Sequence, residues 1–172
     1  IFRTTWDYFE RYSEFAPWLS KISTKCILLN SSEIINWNID KHYLRDLENN
    51  GLNIAPSHFL KKGVKTTLKE LFESTGWSEA VLKPTISGAA RHTYRLTPSN
   101  ASEHEEILVE LLQNEDMIFQ EFLKDIVDFG EISLMFMGGE YTHAVRKIAK
   151  QGDFRVQDDH GGTVEVHEAS ME

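Results

Sequence analysis

Three features of the sequence predict an α+β fold of two helix-and-strand lobes. Apolar residues recur at helical spacing in several separate stretches, among them Phe9 to Ile22 and Val64 to Phe72. Short extended runs rich in β-branched and aromatic residues lie between them. Gly138-Gly139, between two alternating runs, is a two-residue hairpin turn of the primed kind, so the strands there are antiparallel.

Taken in order, Ile1 to Trp6 is extended and Asp7 is the expected N-cap of a helix that places Phe9, Tyr12, Phe15, Trp18, Leu19 and Ile22 inward. Cys26-Ile27-Leu28-Leu29 is fully apolar and reads as a buried strand, with Cys26 a small hydrophobe rather than a nucleophile. Asn30-Ser31-Ser32 caps a short helix, Glu33 to Trp37. Asp40 starts another, with Tyr43, Leu44 and Leu47 inward and Gly51 as its stop. Ile54-Ala55-Pro56-Ser57 opens a new segment, so 1–53, 54–118 and 119–172 are the expected divisions.

Val64, Leu68, Leu71 and Phe72 form the next amphipathic helix, which ends before Gly76. A strand carrying Lys83 follows, then a small-residue loop and a strand from Arg91 to Leu96. Ser102 and Glu105 have capping-box spacing, at the head of a helix with Ile107, Leu108, Leu111 and Leu112. Met117 to Leu123 is extended. Ile132, Leu134 and Phe136 then alternate with polar and methionine residues, predicting one well-buried face. On the return strand, Glu140 to Ala149, Tyr141, His143, Val145 and Lys147 share a face. Asp153 to Gln157 is extended and Asp158 to Gly162 turns.

Composition narrows the function classes. The 172 residues carry a formal charge of -9, which argues against a general nucleic-acid binder. The single cysteine excludes a disulfide framework and a thiolate zinc site, and fits a cytoplasmic protein. No apolar run approaches the ~20 residues that span a bilayer, so no membrane partner is expected. The start at Ile1 and the stop in a polar stretch read as part of a longer protein. His160 and His167 stand near several carboxylates, but their spacing matches no usual metal-ligand set.

The stretch with chemical content is Ala80 to Arg91. An aliphatic run delivers Lys83, Pro84 ends regular pairing, and Ser87-Gly88-Ala89-Ala90 is a loop without bulky side chains. Backbone N–H groups of such a loop approach an anion closely, and a neighbouring lysine adds a point charge. By itself the stretch also reads as a hairpin tip with a solvated Lys83. Lys41, near a helix N-terminus, gains nothing from the dipole there, which favours an anionic partner.

Several stretches in a fixed order resemble the ATP-grasp superfamily, in the branch of RimK-type ligases, bacterial glutathione synthetase and cycloserine-pathway ligases. They are Arg3-Thr4-Thr5-Trp6-Asp7-Tyr8, Trp37 to Leu44, Val81-Leu82-Lys83-Pro84, Gln120-Glu121-Phe122-Leu123, Gly130-Glu131-Ile132-Ser133-Leu134, and Asp153-Phe154-Arg155 running on to Gly162. The resemblance implies two α+β lobes with antiparallel sheets and a nucleotide cleft between them. It implies a carboxylate–amine or carboxylate–thiol ligase that works through an acyl-phosphate on a small amino-acid-like or peptide-like substrate. The alternative is a nucleotide-binding module that has lost catalysis.

By the same resemblance, Lys41 and Lys83 are the phosphate lysines and Ser87 and Gly88 belong to the flap over the triphosphate. Gln120, Glu121, Phe122 and Leu123 are the hinge at the adenine, and Glu131 binds the ribose. Arg155, with Lys83, is the expected catalytic cation, assisted by Arg146 or Lys147. Arg3, Trp6 and Asp7 face the substrate. ATP and Mg2+ are the implied cofactors, with the metal ligands expected beyond Glu172. Dimers are common among such proteins, which leaves a homodimer open.

Overall fold

The computed structural model describes residues 2, 5 and 7–169. They form two compact units, residues 1–122 and 123–172. No helix among the described residues is long and apolar enough to cross a membrane.

The first unit opens with helix α1 (Tyr12–Ser23), preceded by a turn in which Asp7 O accepts from the N–H groups of Glu10 and Arg11. The helix therefore starts later than a cap at Asp7 implies. Its aromatic face gathers Phe2, Tyr8, Phe15 and Trp18 at ring separations of 5.6–6.0 Å. The Cys26 to Leu29 run forms no strand. Cys26 is exposed and Ile27 is 92% exposed. An apolar run becomes a strand only beside an edge that takes up its backbone groups, and neither described sheet pairs with it.

Helix α2 (Ser32–Ile39) is capped by Ser31, whose hydroxyl accepts from Ile34 N, as its sequence implies. Helix α3 (Tyr43–Asn49) begins three residues after Asp40, whose carboxylate takes the His42 N–H at 3.0 Å. Lys41 thus lies in the turn before the helix and not within its first turn.

A four-stranded antiparallel sheet follows in the order β1-β4-β2-β3, from β1 (Ser57–Leu60), β2 (Ala80–Pro84), β3 (Tyr94–Leu96) and β4 (Met117–Glu121). Pro84 is still in register, opposite Met117. Strand β3 is shorter than expected because Arg91 to Thr93 belong to the loop.

Helices α4 (Leu68–Thr75) and α5 (Glu105–Asn114) cover one face of this sheet. Leu68, Leu71, Phe72, Leu108, Leu111 and Leu112 pack against Leu60, Ala80, Leu82, Leu96, Met117 and Phe119. The Phe119 ring stacks on Trp77 and meets Phe72 edge-on. Val64 lies outside α4 and is exposed.

Thr67 and Glu70 make the capping box of α4. Glu105 does not cap its own helix. Its carboxylate accepts instead from the N–H groups of Leu68 and Lys69, so one carboxylate ties the start of α5 to the orphan donors of α4. Replacing Thr67 with alanine should cost about 1 kcal/mol of stability. Urea denaturation reads this as a lower midpoint at unchanged slope, and an unmoved midpoint would remove the cap's contribution.

The second unit begins with the four-residue helix α6 (Asp125–Asp128) and then a three-stranded antiparallel sheet, β5 (Glu131–Met137), β6 (Glu140–Ile148) and β7 (Thr163–His167). Gly138 and Gly139 both take positive φ, 64° and 88°, as the primed turn requires. Ile132, Leu134 and Phe136 alternate as expected but are each at least half exposed. Among the described residues of this unit, the short α6 is the one α-helix, too small to cover a sheet face.

A bulge between Met135 and Phe136 in the pairing places Phe136 opposite Tyr141 and Met135 opposite His143. The extra residue, Thr142, donates from Oγ1 to Met135 O. It swings Tyr141 away from the face of His143, which strict alternation had assigned to it. Strand β7, which the polar sequence conceals, pairs along β6 from Ala144 to Ile148.

Candidate functional site

The pairing register separates two faces on the first sheet. Ala80, Leu82, Met117 and Phe119 point into the core under the helices. Directly opposite residues share a face, so the intervening positions, Ser57, Phe59, Val81, Lys83, Ile118 and Gln120, lie on the other. That face carries the polar groups, and on it Lys83 Nζ donates to Gln120 Oε1 at 2.8 Å.

Lys41 comes to the same place from the turn before α3. Its backbone N–H donates to Thr85 O at 3.0 Å, which fixes the turn against the end of β2. Its Nζ donates to Thr85 O at 3.3 Å and to Ser87 O at 3.0 Å. Burial of the ammonium, and then its repulsion from Lys83, lower the Lys41 pKa to about 8, partly offset by Asp40. Two lysines 42 positions apart in the sequence thus feel each other's charge. Such a pair of like charges suits an anionic partner.

The loop after β2 is held tightly. Ser87 Oγ donates to Arg91 O, and Arg91 N donates to Gly88 O. Arg91 forms a bidentate pair with Glu115 at 2.8–2.9 Å, and that hydrogen-bonded pairing raises the arginine pKa. Ala89, Ala90 and His92 take φ of 49°, 56° and 48°, a left-handed conformation that L-residues adopt at a cost. At Gly88 a Cβ would stand 2.6 Å from the Phe9 ring, so only glycine fits there without displacing that ring.

At the end of β4 the N–H groups of Glu121 and Phe122 donate to Pro56 O and Glu79 O. Phe122 is buried, and the Arg95 guanidinium lies 4.0 Å above its ring while pairing with Glu79 at 2.7 Å. Leu123 is half exposed and belongs to the second unit.

In the second unit Glu131 and Lys147 are direct register partners, and Lys147 Nζ donates to Glu131 Oε1 at 3.0 Å. Arg146 pairs with Glu165 on β7 at 2.9 Å. Arg155 is gripped by Asp153, whose carboxylate accepts from the arginine Nε and Nη2 and from the backbone N–H groups of Phe154 and Arg155. These bonds, the arginine's first, hold the Asp153 carboxyl far below its ordinary range.

Asp7 is exposed and lies 3.6 Å from Arg11. With Thr5, Tyr8, Glu14, Phe15 and Trp18 they line a cavity of about 270 Å³. Arg3 and Trp6 lie outside the described residues. No group of three or more His, Cys, Asp or Glu among the described residues could hold a metal ion.

The structure therefore brings together Lys41, Lys83, Ser87 and Gln120 in the first unit, and Glu131 with Lys147 in the second. Sequence reading missed Ser57, Thr85 and Phe9 as their supports. A serine at a strand start and a threonine after a proline carry no signal of their own. Only the pairing register shows what they touch.

Comparison with known proteins identifies the family and the fold. Residues 1–30 match the N-terminal domain of D-cycloserine synthetase DcsG, and residues 54–172 match the ATP-grasp domain of prokaryotic glutathione synthetase. The cycloserine biosynthesis protein DcsG of Streptomyces lavendulae is 29% identical over 156 residues, which cover 87% of this chain and 51% of that protein. The crystal structure of D-cycloserine synthetase DcsG superposes with a TM-score of 0.87 at 25% identity, over 99% of this chain and 59% of the other. D-alanine–D-alanine ligase from Bacillus anthracis, complexed with ATP, shares the fold, with a TM-score of 0.53 at 15% identity over 77% of this chain and 40% of its own. The chain spans about half the length of the curated relative it matches. The match over residues 54–172 covers more than half of the sequence and shows the family: the chain belongs to the ATP-grasp family of prokaryotic glutathione synthetase.

Proposed function

We propose that the chain is the nucleotide-binding part of an ATP-dependent ligase that joins a small carboxylate to an amine or thiol. The observation that carries this reading is the convergence of Lys41 and Lys83 beside a small-residue loop, on the sheet face opposite the core. Two ammonium groups at that spot offset part of the charge of a triphosphate, and the loop from Ser87 to Ala90 offers backbone donors to it. Gln120 to Leu123 serve the base, with Phe122 supplying an apolar wall.

In the second unit Glu131 accepts hydrogen bonds from the ribose hydroxyls, and Lys147, already its partner, orients it. Arg155, fixed by Asp153, meets the phosphoryl group being transferred. The substrate carboxylate oxygen attacks the γ-phosphorus and ADP leaves. The amine or thiol then attacks the acyl carbon of the acyl-phosphate and inorganic phosphate leaves. The residues assigned here position groups and offset charge. Magnesium would neutralise the phosphates further; no group of three or more His, Cys, Asp or Glu among the described residues could hold it, and no step is assigned to it. Asp7, Arg3 and Trp6 are proposed for the substrate, and a cytoplasmic setting fits ATP as co-substrate.

Calorimetric titration tests the nucleotide reading. ATP with magnesium should bind saturably, and Glu131→Ala should weaken ATP more than 2′,3′-dideoxy-ATP. Equal losses for the two nucleotides would remove the ribose role, and absence of binding would overturn the nucleotide reading itself.

A further inference from the structure

We propose that Ser57 is a positioning residue for Lys83, acting through the side-chain amide of Gln120. Its part in ATP binding rests on the phosphate role of Lys83, whereas the orientation of Lys83 does not.

The argument starts from a chain of three hydrogen bonds across neighbouring strands. Ser57 Oγ donates to Ala55 O at 2.7 Å, Gln120 Nε2 donates to Ser57 Oγ at 2.7 Å, and Lys83 Nζ donates to Gln120 Oε1 at 2.8 Å. A hydroxyl has one hydrogen to give and two lone pairs. With its hydrogen engaged by the Ala55 carbonyl, Ser57 can only accept from the amide. That fixes which end of Gln120 faces Ser57, and so which end faces Lys83.

The direction matters because Lys83 has donors and no acceptor. A carbonyl oxygen turned towards it holds the ammonium in place, and an NH2 group turned towards it would repel it. The register makes this possible. Ser57 lies directly opposite Gln120, and Gln120 opposite Val81, two residues along the same face from Lys83. A serine on β1 thereby sets the aim of a lysine two strands away. The family resemblance places the hinge backbone from Gln120 to Leu123 at the adenine, and the Gln120 side chain is turned to the lysine.

Three measurements test this. Ser57→Ala removes the acceptor and frees the amide to turn. It should weaken binding of ATP with magnesium about three- to tenfold, the effect of one net hydrogen bond, with the thermal midpoint unchanged. Ser57→Thr, which keeps the hydroxyl, should restore wild-type affinity. In a Lys83→Ala background the Ser57→Ala change should have no further effect, because the group it positions is gone. Wild-type affinity in Ser57→Ala, or an undiminished loss in the double variant, would overturn the proposal.

A readout without nucleotide keeps the two readings apart. In lysine-labelled protein followed by NMR, Ser57→Ala should lower the titration midpoint of the Lys83 ammonium, and Ser57→Thr should not. An unchanged midpoint would overturn the proposal even if ATP binds. A shifted midpoint in a protein that binds no ATP would uphold the relay and remove only the phosphate role.

Discussion

Lys83→Ala should lower the affinity for ATP by about 10- to 150-fold, with the fold intact. The expected loss is the ~1.5–3 kcal/mol of a hydrogen bond to a charged group. The fold survives because of where the side chain stands. Leu82 and Ala80 carry the core contacts of β2, while Lys83 points away from α4 and α5. Truncation leaves Gln120 Oε1 without this donor, but on a partly buried face that water reaches. Parallel titration and thermal denaturation of wild type and variant decide the matter. A binding loss accompanied by a comparable loss of stability would make Lys83 a structural residue. Unchanged affinity would place the phosphates elsewhere.

The second large effect is a fall in ATP affinity as pH rises through about 8, approaching tenfold per pH unit above it. In the free protein burial and Lys83 lower the Lys41 pKa to about 8, whereas a bound phosphate favours the charged form and raises it. Binding therefore takes up a proton, and alkaline solution opposes it. The last ionisation of a phosphate ester lies at about pH 6, below this window.

Stability responds with the opposite sign. The folded value lies below the ordinary lysine value of 10.5, so between the two the unfolded chain holds the extra proton. The contribution of Lys41 to stability accordingly rises with pH across that window. Titrations at pH 7, 8 and 9, with denaturation at each pH, should show the two trends diverging. Lys41→Arg, charged throughout, should flatten the affinity profile. A flat wild-type profile would remove Lys41 from the phosphate site.

The same residues show how much was legible beforehand. Helices α2 and α4 were read correctly in kind, because Ser31 and the apolar spacing of α4 act within a single turn. The Gly138-Gly139 hairpin was equally plain, since the primed turn needs positive φ at two adjacent residues. The lysines and the small loop were visible as residue types in a familiar order.

Failures came where a distant partner decided the outcome. Cys26 to Leu29 has strand composition and pairs with no strand among the described residues. Glu105 has capping-box spacing, yet it caps a helix that ends 30 residues earlier in the chain. Tyr141 changed faces through one unpaired residue, Thr142.

The sequence by itself thus determined the fold class, because periodicity and turn chemistry are local properties, and the order of its motifs pointed to the family and to Lys41 and Lys83 as the proposed phosphate lysines. Only the tertiary structure decided that Lys41 reaches Thr85 and Ser87 and that Ser57 and Gln120 aim Lys83. Those contacts join residues 44, 46, 63 and 37 positions apart. The first two exist because the turn before α3 docks on Thr85 at the end of β2, and the last two because an antiparallel register sets which residues stand side by side.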